Sequence, residues 1–458
     1  MHNVRILQKS CRPVTVLIFI CIVLTQVSCK KYLDVRRSQS QAVPTTLKDM
    51  QAILDNQYGN SSAPAYLEFV ADNYYLFDAS WSTSGTEDRL SYVWDKDAQV
   101  KSDNWSRPYS SVYNANTVLD YLPAVKINES ERSTYNSIKG TALFYRAYSF
   151  FNLAQLFCQP YDPATASANP GIVIRLTSAV EKASQRGSVQ QTYDQIINDL
   201  KEAVELLPET SSYTTRPIKA AALGMLARVS LSMRDYGNAK IYADQTLAKK
   251  SALLDYNSLI NSSIPGFANN PEILFLSSTF HTLLQPKSSM VDSSLYQSYS
   301  SNDLRRDVFF GNNTNGTHYW IGSYMPDDVK YGIFDGIVTD EIYLIRAESK
   351  ARAGDKDGAL DDLNAIMRNR YKTGTFSNIT AGNATDALNK ILFERRKELL
   401  FRGLRWSDLR RFNLEGANIT LKRIVNGTTY TLPPNDPRWV LLITAQEISQ
   451  SGIAQNPR

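Results

Sequence analysis

The chain has 458 residues, with 50 Lys and Arg residues against 45 Asp and Glu residues and a formal net charge of +5. This length allows a substantial buried core, and the small net charge argues against the broad basic surface of nucleic-acid-binding proteins. There are only 3 histidines, too few and too scattered for a zinc site or a serine-histidine triad. We therefore predict no nucleic-acid partner, no metal site and no cofactor.

The N-terminal segment predicts an export signal that ends in a lipid attachment site. Basic residues precede an apolar run from Val14 to Leu24, and Ser28 and Cys29 follow it in an arrangement similar to a bacterial lipobox. The run is shorter than the roughly 20 apolar residues that span a bilayer. We expect residues 1–28 to be removed and Cys29 to carry lipid; a soluble secreted protein with an incidental cysteine is the alternative.

The segment after the cysteine is polar and basic, and we predict that residues 29–40 are a tether and residues 41–458 a single domain. If Cys29 carries lipid, Cys158 is the one cysteine left in the mature chain, so no intramolecular disulfide can form. We expect Cys158 to be a small buried apolar residue.

Two irregular insertions are predicted, one before and one after the helices predicted between residues 104 and 248. Residues 60–101 mix aromatic and polar side chains without a sustained period, which indicates a loop rather than scaffold. Residues 251–340 are rich in Ser, Asn, Gly and Tyr, and residues 269–280 predict a short strand within them. Loops this long in a compact chain are usually functional or disordered.

Helical periodicity dominates the rest of the chain. Ser188, with Gln191 three residues on, predicts a capped helix that Pro208 ends, and Arg146 stands alone in an otherwise apolar helix and needs a carboxylate partner. Units of helix, tight turn and helix resemble tetratricopeptide pairs but are unevenly spaced. We predict a mainly α fold, a tetratricopeptide-like helical-pair scaffold with long loop insertions and minor β hairpins, one of them turning at Asn426-Gly427. The predicted helices are 47–56, 104–125, 130–157, 188–207, 216–233, 235–248, 341–353 and 357–370.

The most charged helical stretch runs from Ile391 to Phe412. Like charges four residues apart repel, so we expect arginines from elsewhere to neutralise its glutamates. Gly403 can end the helix in a left-handed conformation, after which a second short helix folds back over the first. The predicted structural ion-pair cluster comprises Arg146, Glu394, Arg395, Glu398, Arg405 and Asp408.

Glu394 and Glu398 also have the spacing of a glycosidase carboxylate pair on one helical face. The surrounding arginines would lower both pKa values and leave no proton donor. We therefore predict no catalytic residue, and keep a glycoside hydrolase on a helical scaffold as the alternative from another class.

Several segments, taken together, resemble the SusD/RagB family of Bacteroidetes outer-membrane nutrient-binding lipoproteins. They are CKKYLDV at 29–35, GTALFYRAYSFFNLAQLF at 140–157, SVQQTYDQIINDL at 188–200 and ERRKELLFRGLRWSDLRR at 394–411. The resemblance implies a lipid-anchored cell-surface protein without enzymatic activity that binds an oligosaccharide and delivers it to a SusC-like TonB-dependent transporter. A peptide or glycopeptide ligand is the alternative within the family, and a protein-interaction scaffold without a small ligand is a third reading.

A helical-pair scaffold brings its long loops to one face, so we predict the ligand site where residues 60–101 meet residues 251–340. Aromatic rings there can stack on a sugar face while polar groups bind the hydroxyls. The predicted ligand-binding residues are Asp72, Asn73, Trp81, Arg89, Trp94, Tyr296 and Trp320.

Overall fold

A computed structural model describes residues 43–56, 63–181, 183–259, 270–325 and 332–458. The predicted signal and tether, including Cys29, lie outside the described residues. Contacts divide the chain after Pro44, and the second unit, Thr45–Arg458, contains all the elements described here. None of the helices in the described ranges combines the length and the apolar content needed to cross a membrane.

Helices form most of the regular structure. In chain order they are α1 (Leu47–Leu54), α2 (Tyr66–Phe69), α3 (Asp78–Ser82), α4 (Thr86–Tyr92), α5 (Asp103–Tyr121), α6 (Arg132–Phe157), α7 (Val189–Leu206), α8 (Lys219–Ser232), α9 (Tyr236–Lys249), α10 (Ser293–Gln297), α11 (Arg305–Phe309), α12 (Thr339–Arg352), α13 (Lys356–Arg368), α14 (Ala384–Glu398), α15 (Arg405–Leu414) and α16 (Ala445–Ser451). Short 3-10 helices lie at Leu122–Ala124, Glu129–Glu131, Tyr256–Leu259, Thr282–Leu284 and Pro437–Trp439.

The strands are short and form two-stranded antiparallel sheets. They are β1 (Tyr74–Leu76), β2 (Pro170–Val173), β3 (Arg186–Ser188), β4 (Ile273–Phe275), β5 (Ser278–Thr279), β6 (Ser289–Val291), β7 (Phe310–Asn312), β8 (His318–Trp320), β9 (Ile333–Phe334), β10 (Ile337–Val338), β11 (Leu421–Val425) and β12 (Thr428–Leu432). The pairs are β1 with β6, β2 with β3, β4 with β10, β5 with β9, β7 with β8 and β11 with β12.

Helices that follow one another along the chain pack side by side. α5 packs on α6, α6 on α7, α8 on α9 and α12 on α13, while α9 against α12 joins the two halves across the second insertion. The mainly α, helical-pair prediction is confirmed. The pairs are interrupted by two long segments, so they do not form an evenly repeating array.

Local sequence signals explain where these helices begin. At α7, Ser188 Oγ accepts a hydrogen bond from Gln191 N at 3.1 Å, and Gln191 Oε1 accepts one from Ser188 N at 2.9 Å. This reciprocal cap satisfies two backbone donors that a helix N-terminus otherwise leaves unpaired. The capped helix predicted from Ser188 is therefore confirmed.

Helix α6 is the centre of the core. Its side chains from Gly140 to Phe157 are buried, as the unbroken apolar run predicts. The lone charge in this run, Arg146, donates to both carboxylate oxygens of Asp199 at 2.7 Å and to Asn116 Oδ1 at 2.9 Å. Arg146 thus forms a buried ion pair between α6 and α7, separate from the charges on α14 and α15.

The C-terminal hairpin turns where the sequence predicts. Asn426 has φ 47° and Gly427 has φ 76°, so both central residues occupy the left-handed region that a two-residue hairpin loop requires. Asn and Gly are the residues that tolerate this conformation best. Strands β11 and β12 pair from Leu421 with Leu432 to Val425 with Thr428.

The prediction that residues 60–101 form a loop is wrong for the part that the structure describes. Residues 63–101 contain α2, β1, α3 and α4. Side chains of this segment, among them Tyr66, Phe69 and Tyr92, are buried in the main core. Helices of four to seven residues cover less than two turns, so they leave no periodic pattern in the sequence.

A distant arginine fixes this first insertion. Arg423 of β11 donates from Nη2 to the carbonyl oxygens of Phe69 and Ala71 at 3.0 and 2.5 Å, and from Nη1 to the carbonyl oxygen of Tyr92. The same guanidinium lies 3.8 Å from the centre of the Tyr92 ring. Hydrogen bonds to a buried cation satisfy carbonyl groups that no regular helix or strand pairs here.

Candidate functional site

The two insertions meet at an antiparallel strand pair. Strand β1 of the first insertion pairs with β6 of the second, with Tyr75 opposite Met290, and β6 in turn contacts β8. The half-buried Tyr75 lies between two buried neighbours on β1. The two insertions therefore meet, as the helical-pair scaffold predicts, and the position of the ligand site there stays a prediction.

A polar cleft opens beside this strand pair. Its volume is about 340 Å³, and it is lined by residues of α3, α4 and the loop between them on one side and by residues around the 3-10 helix Thr282–Leu284 on the other. Hydroxyl groups and one ion pair dominate the lining, which suits a ligand rich in hydroxyl groups. The lining residues are Ser80, Thr83, Ser84, Gly85, Asp88, Lys101, Thr282, Leu283 and Ser288.

Asp88 lies at the base of the cleft in a dense hydrogen-bond network. Its carboxylate accepts from Tyr66 Oη at 2.8 Å and from Lys101 Nζ at 2.6 Å, and it contacts His281 Nε2 at 3.2 Å. Leu283 N donates to His281 Nδ1, so the neutral ring carries its proton on Nε2 and donates it to Asp88. Burial by itself raises the pKa of Asp88, but the hydrogen bonds from His281 and Lys101 lower it to about 2.

Lys101 has donors left for a ligand. Its side chain is 37% exposed and, among the described residues, its ammonium group donates to Asp88 alone, so one of its three hydrogens is committed. Asp88 itself is 3% exposed and is held by three donors. The cleft therefore presents a cation whose position is fixed by a buried carboxylate.

Trp81 and Arg89, two of the predicted ligand-binding residues, lie beside the cleft. Trp81 is half-buried on α3 between the lining residues Ser80 and Thr83, and its Nε1 donates to the carbonyl oxygen of Arg89 at 3.2 Å. Arg89 in turn donates from Nη1 to the carbonyl oxygen of Ser84 at 2.6 Å. The indole position is thus fixed while part of the ring stays accessible.

Tyr296 forms part of a second partly exposed group. Its ring stacks on His318 with centroids 3.4 Å apart, and Arg306 donates to its hydroxyl oxygen at 3.0 Å with the guanidinium 4.9 Å from the ring centre. Burial and the neighbouring Arg306 charge lower the pKa of His318. Tyr296 belongs to the second insertion and lies outside the cleft lining.

Three predicted ligand-binding residues are buried. Trp94 is 3% exposed and donates from Nε1 to the carbonyl oxygen of Val70 at 3.0 Å, and Trp320 is 8% exposed and stacks on Phe401. Asn73 is 1% exposed. Their rings and amide are not exposed for stacking on or hydrogen bonding to a ligand in this structure, because all three side chains are buried within the protein.

Asn73 instead holds a buried carboxyl group. Its Nδ2 donates to Glu68 Oε1 at 3.0 Å, while Gly403 N donates to Glu68 Oε2 at 3.1 Å. Complete burial raises the pKa of Glu68 to about 7, against the lowering effect of these two hydrogen bonds. Glu68 thereby ties the first insertion to the turn between α14 and α15.

Asp72 also makes an ion pair with these C-terminal helices. Arg405 donates to its two carboxylate oxygens at 2.7 and 3.0 Å, and Arg396 approaches it at 3.4 Å. Burial alone would raise the pKa of Asp72, but the Arg405 and Arg396 charges bring it well below its usual range. Arg405 was predicted to pair within the C-terminal ion-pair cluster, but it pairs with Asp72, which was predicted to bind ligand.

The glutamates of α14 are neutralised by arginines from elsewhere, as the sequence predicts. Arg305 lies 2.6 Å from Glu394 and 2.9 Å from Glu398, and Arg370 donates to Glu398 at 2.7 Å. Burial by itself raises the pKa of Glu398, but Arg370 and Arg305 lower it below the usual value. Glu398 therefore stays ionised and has no proton to donate, which argues against a glycosidase acid at this position.

The second short helix does fold back over the first. Arg395 donates to Asp408 at 2.8 Å, and Asp408 also accepts from Arg411 at 3.0 Å. Gly403 has the predicted left-handed conformation with φ 66°, although α14 already ends at Glu398. The turn is longer than predicted because Phe401 is left-handed as well, with φ 55°.

The hydroxyl-rich lining of the cleft and the roles of Asp88, Lys101 and His281 are not predictable from the sequence pattern. Isolated Ser and Thr residues carry no spacing signal, and His281 is separated from Asp88 by 193 residues. Within the described ranges, no group of three or more His, Cys, Asp or Glu side chains is placed to hold a metal ion. Cys158 is buried as expected, and burial raises the pKa of its thiol to about 11.

Comparison with known proteins gives consistent matches over most of the chain. Residues 31–231 match a family model described as starch-binding and associating with the outer membrane, and residues 340–450 match the SusD family model. SusD-like protein P2 of Formosa agariphila is 25% identical over 86% of this chain and 90% of its own length.

Solved structures share the fold. A SusD superfamily protein from Bacteroides thetaiotaomicron has a TM-score of 0.74 and 23% identity, covering 90% of this chain and 100% of its own. A laminarin-binding SusD-like protein has a TM-score of 0.66 and 17% identity, covering 89% of this chain and 97% of its own.

Proposed function

The chain belongs to the SusD/RagB family, and we propose that it is a lipid-anchored outer-membrane protein that binds an oligosaccharide where its two insertions meet. The observation that carries this proposal is the hydroxyl-lined cleft, which combines a partly exposed Lys101 with the half-buried Trp81 beside it. A pyranose presents hydroxyl groups and an apolar face, and this arrangement offers a partner to each.

We refine the predicted set of ligand-binding residues accordingly. Trp81, Arg89 and Tyr296 stay in the proposed site and Lys101 joins it, while the buried Asp88 positions Lys101. Trp94, Trp320, Asn73 and Asp72 leave the proposed set, because their side chains are engaged by other groups of the protein.

Binding is to be tested on detergent-solubilised full-length protein with arrays of glycans and peptides, followed by calorimetry with the strongest ligand. An oligosaccharide whose affinity falls in Lys101→Met supports the proposal. The matched control is Lys96→Met, which removes an exposed lysine paired with Asp97. Peptides as the only ligands, or equal binding by both variants, would contradict it.

The protein is further proposed to have no catalytic activity and to deliver its ligand to a SusC-like TonB-dependent transporter. Incubation with the bound polysaccharide should release no reducing ends, whereas a steady increase would identify a hydrolase. Mild detergent extraction should co-purify a transporter of this class; recovery of the protein alone would argue against a stable complex.

The anchor is proposed to be a lipid on Cys29. Cys29→Ala should release the protein from the membrane fraction and abolish labelling with palmitate. Retention of both in the variant would show that membrane attachment has another origin.

A further inference from the structure

A second groove lies on the far side of the ion pair that fixes Asp72. It has a volume of about 490 Å³ and is lined by α14, α15, the end of α12 and the segment that follows α15. Leu388 and Leu392 of α14 and Phe412 of α15 form its apolar floor, and Phe393 beside them is 51% exposed. This groove shares no lining residue with the cleft around Asp88.

Three arginines, Arg352, Arg396 and Arg405, line the groove, against one carboxylate, Glu415. Arg396 and Arg405 share Asp72 as their carboxylate partner, so two guanidinium charges face one negative charge. Arg352 is paired with Glu348 and Glu415, so the excess of positive over negative charge lies at the end of the groove where Arg396 and Arg405 share Asp72.

Each of these arginines holds its position with part of its guanidinium. Arg396 donates from Nε to Asn73 and from Nη2 to the Asp72 carbonyl, Arg405 from Nε and Nη2 to Asp72, and Arg352 from Nε to Glu348 and from Nη2 to Glu415. Among the residues described, the Nη1 group of each donates no hydrogen bond. Fixed arginines with spare N–H groups are suited to binding carboxylate or sulfate oxygens.

We propose that this groove binds an acidic sugar residue, with its carboxylate or sulfate group on the arginines and its apolar ring face on Phe393. The inference rests on the proposed oligosaccharide binding and specifies its class as an anionic glycan. An aromatic ring beside fixed guanidinium groups matches a saccharide, which has an apolar face and an anionic substituent on one ring.

The probes are tetragalacturonate and its fully methyl-esterified form, which keeps the sugar ring and removes the charge, and a sulfated galactose tetrasaccharide with its desulfated form. Calorimetry on the detergent-solubilised full-length protein should show each acidic probe binding at least about tenfold more tightly than its neutral form, as expected for hydrogen bonds to a charged group. The stronger acidic probe identifies carboxylate or sulfate as the recognised group. Equal binding of charged and neutral forms overturns the proposal.

Arg396→Gln should weaken the acidic probe by about tenfold, while Asp72 stays paired with Arg405. Glu415→Gln removes the one carboxylate in the lining and should tighten binding about threefold, an increase that misfolding cannot produce. An affinity for the acidic probe unchanged in both variants would place the anion site elsewhere. Equally tight binding of a tetraglutamate peptide would replace the sugar by an acidic peptide.

The experiments give different results if the proposal for the groove is wrong and if the proposal for the cleft is wrong. A neutral glycan whose binding depends on Lys101 but not on Arg396, together with no preference for acidic probes, rejects the groove alone. An acidic probe that depends on Arg396, with no ligand sensitive to Lys101→Met, rejects the cleft alone.

Discussion

The ion pairs around Glu398 and those around Asp88 place similar chemical groups in different surroundings. Glu398 and its partners Arg305 and Arg370 have fully buried side chains, and each charge is met by an opposite one. Asp88 is also buried, but its partner Lys101 is 37% exposed and reaches the cleft. A high density of charge therefore does not distinguish a structural ion pair from a candidate binding group, whereas hydrogen-bond donors left free near solvent are able to reach a ligand.

The largest expected effect is a loss of stability when the fully buried ion pairs of Glu398 are broken. Glu398→Ala leaves Arg305 and Arg370 without their shared carboxylate, and breaking such a buried pair costs about 3 to 5 kcal/mol. Chemical denaturation should report this loss in the free energy of unfolding. Glu205→Ala, an exposed substitution on α7, is the matched control. Unchanged stability with lost ligand binding would make Glu398 a site residue.

A buried carboxyl group should give the protein a specific pH dependence. The pKa of Glu68 is raised from 4.5 to about 7, so between these values the folded state binds more protons than the unfolded state. Its contribution to stability is therefore fully present below pH 4.5 and falls as the pH rises through about 7, by up to about 3 kcal/mol. Denaturation of wild type and Glu68→Gln at pH 5 and 8 measures the difference.

Glu68→Gln removes the titrating proton while keeping the size of the side chain. Stability should therefore fall less in this variant than in wild type between the two pH values, whatever other groups contribute. Parallel pH profiles for the two proteins would contradict a raised pKa at Glu68.

Near the cleft, substitution of Trp81 should affect ligand affinity without affecting stability. Trp81→Ala should weaken ligand binding by about 2 kcal/mol, about thirtyfold, and leave the unfolding curve nearly unchanged, because the ring is only half-buried. Trp94→Ala is the matched contrast: its ring is buried beneath Arg423, so the variant should lose stability instead. Calorimetry and thermal unfolding of both variants check this, and a reversal of the two effects would exchange their roles.

The smallest expected effect lies in the hairpin turn. Gly427→Ala places a side chain on a residue with φ 76° and should cost about 1 kcal/mol. No atom lies within 4 Å of the added Cβ, so the cost comes from the backbone alone. The neighbouring Asn426 donates hydrogen bonds to Asp78 and Ser82 of α3, but Gly427 itself is exposed and does not line the cleft. The substitution should therefore leave ligand affinity unchanged in calorimetry. A larger loss would show that the hairpin supports the site.

The scaffold could be predicted because its signals are local. The Ser188 cap, the apolar run of α6 and the Asn426-Gly427 turn each depend on residues that are close in sequence. The meeting of the two insertions could be predicted from the helical-pair architecture. Which aromatic side chains are exposed could not, because Trp94 is covered by Arg423 and Trp320 by Phe401.

The same limit explains Asp72. Its position in an aromatic and polar segment suggests a ligand contact, yet its partner Arg405 lies 333 residues away. The sequence does predict that Arg405 needs a counterion, because the charged residues of α14 and α15 lie in helices that should be buried. The identity of a counterion supplied by an irregular segment depends on the three-dimensional path of that segment.

The hydrogen bonds that Arg423 donates to Phe69 and Ala71 span 354 and 352 residues. Contacts this distant along the chain close after local ones and slow folding, because ordering the intervening chain costs entropy. The helical pairs can form while the chain is being synthesised, but the first insertion cannot complete its contacts until β11 is present. The proposed binding face should therefore be completed last during folding, and a chain truncated before residue 423 would contain the helical pairs without it.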